Sequence, residues 1–342
     1  MNISELLSEL SKIASSGKPL LASVVNSSGL ESDNPYFTTL RSDKYLSLAC
    51  FIVSSQHQAL QLSAHLSSVI SGWLVDVEKK IPYSATSGLI NLGNIYTALR
   101  DVIAPSLLWP FKANDLTVDS IVDSLFRQYG DLAGLNIGVV GLGNIGFKAS
   151  LSLLECGSNL KLFSRNYLHS ESVVTAINKI KPVATLSSAT CARDLQQVFA
   201  SSDIIVLCSN YPVELSDFSI ACALDSGSTL SRILVVGHNS LNCDDAIAIS
   251  RVSPFFIERL DIGGTLLSCA RNHIQSQIGS PAIASILSGY SEIACNGFYV
   301  TEDSTSIVND IEIPTVLIKK AKHRPVEGLP LLSGPVYFEN RV

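Results

Sequence analysis

The sequence contains little charge and no cluster of charges of one sign. Asp, Glu, Lys and Arg make up 16% of its 342 residues, against about 25% in an average soluble domain. No run of Lys and Arg is longer than two residues, and the formal net charge is -6. Such a chain offers no basic face to a phosphate backbone or to anionic lipid. We therefore expect no binding to nucleic acid or to a membrane surface.

Long apolar runs and paired cysteines are also lacking. No apolar stretch reaches the roughly 20 residues that a membrane helix needs. The first residues have helical spacing, with apolar side chains at Ile3, Leu6 and Leu10, rather than the basic-then-apolar order of a signal peptide. The eight cysteines include no C-x-x-C pair, so neither a metal site nor a disulfide framework is indicated. We expect a cytoplasmic protein.

Hydrophobic residues, at 46% of the chain, are abundant, and the length suffices for two domains. In the first part of the chain, strands are predicted in "PLLASVVNSSG", "SLACFIVSS" and "GWLVDVEKK", with a helix in "QHQALQLSAHLSSVIS". The stretch "APSLLWPFKANDLT" contains two prolines and is predicted to be a connection. Strand, helix and strand in this order predict a parallel α/β arrangement.

The second part of the chain opens with "LTVDSIVDSLFRQYG", whose apolar residues recur at i, i+3 and i+4 and predict a helix. Short runs that are apolar throughout follow, as is typical of parallel strands covered on both faces. The predicted strands are in "LNIGVVGLG", "LKLFSRN", "DIIVLCSN", "RILVVGHNS" and "SPFFIERLDIG".

A glycine-rich turn lies at the end of the first of these strands. The segment "VVGLGNIG" places Gly141, Gly143 and Gly146 in the order G-x-G-x-x-G, directly after an apolar strand and at the start of a helix. The first glycine permits a tight turn, the second lets a pyrophosphate approach the backbone, and the third lets the helix pack closely. The helix N-terminus then presents free N–H groups to the phosphates. The further predicted cofactor contacts here are Leu142, Asn144, Ile145 and Ser209.

No acidic residue follows the second strand of this dinucleotide-binding unit. An Asp or Glu there accepts hydrogen bonds from the adenosine ribose and repels a 2'-phosphate, whereas an arginine pairs with that phosphate. This chain has Ser164, Arg165 and Asn166 in that place. We therefore predict that these three residues bind NADP, with NAD as the alternative cofactor. The other interpretation is that Arg165 is a solvated loop residue.

These patterns predict an α/β protein of two domains, a Rossmann doubly wound parallel sheet and a smaller N-terminal α/β domain. The N-terminal domain is expected at residues 1–115 and a linking helix at 116–130. The Rossmann domain is expected at 131–265. The last part, 266–342, is expected to form helices and a tail that return to the N-terminal domain.

This order of elements resembles the superfamily with an amino-acid-dehydrogenase-like N-terminal domain, which includes shikimate, methylenetetrahydrofolate and glutamate-type dehydrogenases. The resemblance covers roughly residues 40–290 in layout, and "SRN" is similar to the Asn-Arg-Thr/Ser motif with which shikimate dehydrogenases bind NADP. It implies a two-domain fold and an NADP cofactor. The Asn-Thr-Asp and catalytic lysine motifs of shikimate dehydrogenases are lacking, so the substrate stays open.

A second resemblance is carried by "GDLAGLNIGVVGLGNIG", which is similar to the start of the Rossmann domain in D-2-hydroxyacid dehydrogenases. Their catalytic Arg-Gly pair is lacking, and "VVGHNSLN" stands in its place. A D-2-hydroxyacid-dehydrogenase-like enzyme and a non-catalytic Rossmann protein that senses nucleotides are therefore the alternatives. S-adenosylmethionine is disfavoured because it has no phosphate for Arg165 to bind.

Three residues are candidates for acid–base catalysis. His238 and Lys79 follow predicted strands, and Asp115 stands in the connection before the linking helix. The structural alternative for His238 is a histidine that only bonds a backbone group, and for Lys79 a solvated charge cluster. For Asp115 it is a helix cap or a turn residue. With these residues we predict an oxidoreductase that transfers a hydride to or from a small carbonyl, imine or alcohol in the interdomain cleft. The predicted partners are this small-molecule substrate and a second copy in a homodimer.

Overall fold

The computed structural model of the chain describes residues 2–26, 34–78, 94–213, 229–237, 240, 256–260, 262, 265–267, 269–270, 316–317 and 324–328. By their contacts these residues form two compact units. The first unit contains the described residues up to Ala113 together with 265–270 and 324–328, and the second contains those from Asn114 to Ile262 together with 316–317.

The described residues form seven α-helices and thirteen β-strands. The helices are α1 (Ile3–Ala14), α2 (Gln56–Leu66), α3 (Ile95–Arg100), α4 (Ala113–Tyr129), α5 (Asn144–Glu155), α6 (Tyr167–Ile180) and α7 (Leu195–Ala200). The strands are β1 (Leu20–Asn26), β2 (Tyr36–Ser42), β3 (Ser47–Val53), β4 (Gly72–Asp76), β5 (Leu108–Phe111), β6 (Asn136–Val140), β7 (Asn159–Phe163), β8 (Ala189–Cys191), β9 (Ile204–Leu207), β10 (Arg232–Val235), β11 (Phe256–Arg259), β12 (Val316–Leu317) and β13 (Arg324–Pro325). None of these helices is long and apolar enough to cross a membrane.

The sheet of the first unit has the order β13-β2-β3-β1-β4-β5 among the described residues. Strands β1, β3, β4 and β5 are parallel, whereas β2 is antiparallel to β3 and β13 to β2. The predicted strand–helix–strand segment is β3-α2-β4, and β1 lies between its two parallel strands. The core beneath the sheet is formed by fully buried side chains such as Leu6, Phe51 and Trp73.

Strand β5 lies in the stretch that was predicted to be a connection, and that prediction is wrong. Pro110 pairs with Val75 inside β5, although proline has no N–H for a sheet hydrogen bond. The strand tolerates it because β5 is at the edge of the described sheet, where one side of the backbone needs no partner. Proline content therefore excluded a central strand but not an edge strand.

In the second unit, the described strands form a parallel sheet with the order β12-β11-β10-β9-β6-β7-β8. Read from β8 to β11, this is the 3-2-1-4-5-6 order of the dinucleotide-binding fold, extended by β12. The predicted fold class, α/β with a Rossmann sheet and a second α/β unit, is confirmed. Strand β8 and helix α7 were not predicted, because a three-residue strand carries too little apolar pattern to be recognised.

Strand β6 occupies the position where the strand order reverses. Its neighbours are β7 on one side and β9 on the other. In open parallel sheets, ligands bind beyond the carboxyl ends of the strands at such a switch point. The glycine-rich turn follows β6 directly and therefore lies at that point.

Candidate dinucleotide-binding site

Two of the three glycines in the turn are at positions where a Cβ atom would collide with the backbone. Gly141 has a φ of 94°, and a Cβ atom there would come within 2.6 Å of the backbone nitrogen of Ser209. A Cβ atom at Gly146 would overlap the carbonyl oxygen of Gly141. The first glycine thus permits the turn, and the third lets α5 start directly against it.

Gly143 differs from both, because a Cβ atom there would meet no described atom within 4 Å. It is the N-cap residue of α5, with extended backbone and no side-chain hydrogen bond to the first turn of the helix. The first N–H groups of a helix have no partner within the helix. Open space beside an uncapped helix N-terminus is the environment in which a phosphate group binds.

The carbonyl group of Leu142 is held by a histidine from another element. His169, in the first turn of α6, donates a hydrogen bond from Nε2 to the Leu142 oxygen over 2.9 Å. The peptide bond between Leu142 and Gly143 is trans, so the N–H of Gly143 points in the opposite direction, away from His169. The sequence did not indicate His169, because the contact joins residues 27 apart and belongs to no local pattern.

Ser164 and Asn166, two predicted phosphate contacts, hydrogen-bond within their own segment. The Ser164 hydroxyl lies 2.8 Å from that of Ser170 and donates to the Asn166 carbonyl over 2.9 Å. Asn166 is the N-cap of α6, where its side chain accepts from the His169 N–H over 3.2 Å. These bonds shape the start of α6.

Arg165, between them, reaches across to the loop that follows β9. Its guanidinium carbon lies 4.2 Å from the centre of the Tyr211 ring, within the range of a cation–π interaction. Both residues are exposed. An arginine at the end of the second strand, with no acid in the segment 161–166, provides positive charge where a 2'-phosphate would lie.

Ser209, also a predicted contact, shapes this loop. Its hydroxyl donates to the Tyr211 carbonyl over 2.9 Å and accepts from the Tyr211 N–H over 3.1 Å. The adjacent Cys208 is half-buried as a residue, but burial of its thiol raises the pKa of that group to about 12. Cys208 is therefore a packing residue in its thiol form, not a nucleophile.

Asp115 lies inside a helix and not in a connection, because α4 begins at Ala113. Its carboxylate forms an ion pair with Lys148 of α5, with 2.5 Å between Nζ and Oδ1. One turn later, the pKa of Asp119 is raised by burial and secondly by the charge of Asp115.

The predicted candidates Lys79 and His238 lie outside the described residues. Among those described, no group of three or more His, Cys, Asp or Glu residues could hold a metal ion.

The first unit has its own buried polar groups at the carboxyl ends of β1 and β4. Asp76 is fully buried and accepts hydrogen bonds from the N–H groups of Glu78 and Ala113 over 3.0 and 3.3 Å. Asn26 is 2% exposed and donates to the Glu78 carbonyl over 2.6 Å, while its own Oδ1 accepts no hydrogen bond from the described part of the chain. An unpaired buried amide oxygen is costly, so Asn26 is a candidate acceptor for a ligand. Neither residue was singled out from the sequence.

No protein-family model and no curated protein matches the sequence. Among solved structures, hetero-hexameric glutamate dehydrogenase from Thermus thermophilus is similar over 82% of this chain and 74% of its own, with 13% identity and a TM-score of 0.45. L-tryptophan dehydrogenase from Nostoc punctiforme is similar over 73% and 68%, with 13% identity and a TM-score of 0.42. Shikimate 5-dehydrogenase from Listeria monocytogenes is similar over 81% of this chain and 96% of its own, with 13% identity and a TM-score of 0.38. At these scores the fold assignment rests on the strand order of the sheets themselves.

Proposed function

We propose that the protein is an NADP-dependent oxidoreductase that transfers a hydride to or from a small carbonyl, imine or alcohol. The observation that carries the proposal is the combination of two features at one sheet edge. The start of α5 is uncapped beside Gly143, and the residue after β7 and Ser164 is an arginine where NAD-binding proteins have an acid.

The residues present fit a dinucleotide with a 2'-phosphate. The N–H groups at the start of α5 would bind the pyrophosphate, since no described atom lies within 4 Å of a Cβ atom placed at Gly143. Arg165 would pair with the 2'-phosphate through charge-assisted hydrogen bonds. Ser164 and Asn166 support this arginine by shaping the turn in which it stands, as their hydrogen bonds to each other and to α6 indicate.

When bound, the nicotinamide supplies the hydride chemistry, and the protein has to supply orientation and one proton. His238 is our first candidate for this proton transfer, because it follows β10, a parallel neighbour of β9 whose carboxyl end is on the same edge of the sheet as the glycine-rich turn. Lys79, after β4, is the second candidate. Asp115 is the third, since its carboxylate already has Lys148 as an ionic partner.

The first test compares the affinities for NADPH and NADH by fluorescence titration of the wild type and Arg165→Ala. We expect tight NADPH binding that weakens tenfold or more in the variant, because charge-assisted hydrogen bonds to the phosphate are lost. NADH binding should change little. Arg127→Ala is the matched control: it removes one arginine from α4, where Arg127 is paired with Asp123, and should leave both affinities unchanged.

Each result decides a different part of the proposal. Binding of neither cofactor would exclude the oxidoreductase. Equal binding of both, unchanged in Arg165→Ala, would exclude the NADP preference but keep the dinucleotide site. NADPH binding without its oxidation by any carbonyl or imine tested would favour the nucleotide-sensing alternative.

A further inference from the structure

The contact between Arg165 and Tyr211 joins the two loops on either side of the glycine-rich turn. Arg165 follows β7 and Tyr211 follows β9, and these two strands are the neighbours of β6, which leads into the turn. The guanidinium carbon lies 4.2 Å from the ring centre. An exposed arginine with four side-chain torsions would otherwise sample many positions, and each position lost on binding costs affinity.

The backbone of Tyr211 is fixed on both sides, although its side chain is exposed. On one side, the Ser209 hydroxyl bonds both the N–H and the carbonyl of Tyr211. On the other side, the side chain of Val213 is buried and its N–H donates to the Ser240 carbonyl over 3.0 Å. The ring of Tyr211 therefore stands on a short segment that is held at both ends.

We propose that Tyr211 is a positioning residue that holds Arg165 for the 2'-phosphate and so contributes to the choice of NADP over NAD. The guanidinium carbon lies over the ring, 4.2 Å from its centre. A cation–π contact of this kind does not require the N–H donors of the guanidinium, so they can bind the phosphate. Tyr211 itself acts through Arg165 and need not touch the phosphate.

The inference rests on the proposed function, and its test uses fragments of the cofactor. Calorimetric titration measures the binding of 2',5'-ADP, which carries the phosphate in question, and of 5'-AMP, which lacks it. The variants are Tyr211→Leu, which keeps an apolar side chain without a π-face, and Tyr211→Phe, which keeps the ring. Leu168→Ala, an exposed position on α6, is the control for surface truncation.

We expect Tyr211→Leu to weaken the binding of 2',5'-ADP about two- to fivefold, the equivalent of an exposed cation–π contact, and to leave 5'-AMP binding unchanged. Tyr211→Phe and Leu168→Ala should bind both fragments as the wild type does. In an Arg165→Ala background, Tyr211→Leu should have no further effect on 2',5'-ADP, because the two residues then act as one unit.

Three results would overturn the inference while leaving the proposed function intact. The first is that Tyr211→Leu weakens the binding of 2',5'-ADP and of 5'-AMP equally. The second is that Tyr211→Leu binds the fragments more tightly, which would mean that the ring covers the adenine position. The third is that Tyr211→Leu weakens 2',5'-ADP binding as much in the Arg165→Ala background as in the wild type. If the wild type binds neither fragment, or both with equal affinity, the NADP proposal itself fails and this inference fails with it.

Discussion

The imidazole of His169 donates a hydrogen bond from Nε2 to the carbonyl oxygen of Leu142, 2.9 Å away, and so connects α6 to the glycine-rich turn. The bond sets the orientation of the peptide group whose N–H belongs to Gly143. Because a trans peptide group is planar, fixing its carbonyl also fixes the direction of that N–H. In the proposed site, the histidine would therefore affect the binding of the pyrophosphate without contacting it.

For His169→Ala we expect weaker binding of NADPH and of NADH by the same factor, about two- to tenfold, which is the net value of one hydrogen bond. The pyrophosphate is common to both cofactors, so the ratio of their Kd values should not change. His169→Gln can place an amide N–H near the same carbonyl and should restore part of the affinity. The control is His65→Ala, because His65 belongs to the first unit, where its Nδ1 hydrogen-bonds to the Gln61 carbonyl within α2. A change in the NADPH-to-NADH ratio would contradict this role.

Alanine at two glycines of the turn should separate binding from stability. For Gly143→Ala we expect loss of cofactor binding by at least tenfold, since the methyl group enters the space assigned to the pyrophosphate, with a loss of unfolding free energy of at most about 1 kcal/mol. For Gly146→Ala we expect destabilisation by about 1–3 kcal/mol or more, because its Cβ overlaps the Gly141 carbonyl. Thermal unfolding and NADPH titration on both variants check this. Unimpaired binding in a folded Gly143→Ala protein would refute the assigned pyrophosphate position.

The raised pKa of Asp119 predicts a pH-dependent stability difference. Burial, and then the charge of Asp115, raise its pKa above the ordinary value of 3.8, so its protonated form is favoured in the folded state. The stabilising contribution is present below pH 3.8 and is lost as the pH rises through the higher pKa of the folded state. Asp119→Asn should therefore be slightly more stable than the wild type at neutral pH. The gain should be less than about 1 kcal/mol, because the carboxyl group is only partly buried and water still screens its charge.

The difference for Asp119→Asn should vanish at acid pH, which urea unfolding at several pH values can check. Asp123→Asn, one turn further along α4, is the matched control with the opposite sign. It loses the ion pair with Arg127, 3.0 Å in length, and should be slightly less stable at neutral pH. A lower stability of Asp119→Asn at neutral pH would contradict the argument.

His238 and Asp115 can be distinguished by turnover. If His238 transfers the proton, His238→Gln should lower kcat by about 10²–10⁴-fold with little change in the Kd of NADPH. Asp115→Asn should lower the unfolding free energy by about 1 kcal/mol or less, through loss of the ion pair with Lys148, and should leave kcat nearly unchanged. Steady-state kinetics on the first substrate found would measure both. If only Asp115→Asn lowers kcat a hundredfold, Asp115 is the acid–base residue. If only Lys79→Met does so, the acid–base residue is Lys79.

Much of the fold could be predicted from the sequence because its signals are local. An apolar run of strand length, followed within a few residues by G-x-G-x-x-G, predicts the β6–turn–α5 segment, and the structure has it there. Strands with weaker local signals were missed. β2 pairs antiparallel at one side of its sheet, β5 contains Pro110, and β8 has three residues. β2 forms a hairpin with β3, the next strand, whereas β5 pairs with β4 and β8 with β7 across intervening segments that contain a helix.

Local backbone geometry makes the glycine positions of the turn predictable from the sequence alone. Gly141 is required by its positive φ, Gly146 by the overlap with the Gly141 carbonyl, and both follow from eight consecutive residues. The side chains that meet around these glycines could be identified only from the folded structure. His169 reaches Leu142, Tyr211 lies against Arg165, and Lys148 pairs with Asp115. Each contact depends on how separate strands and helices are packed, and packing of this kind leaves no fixed spacing in the chain.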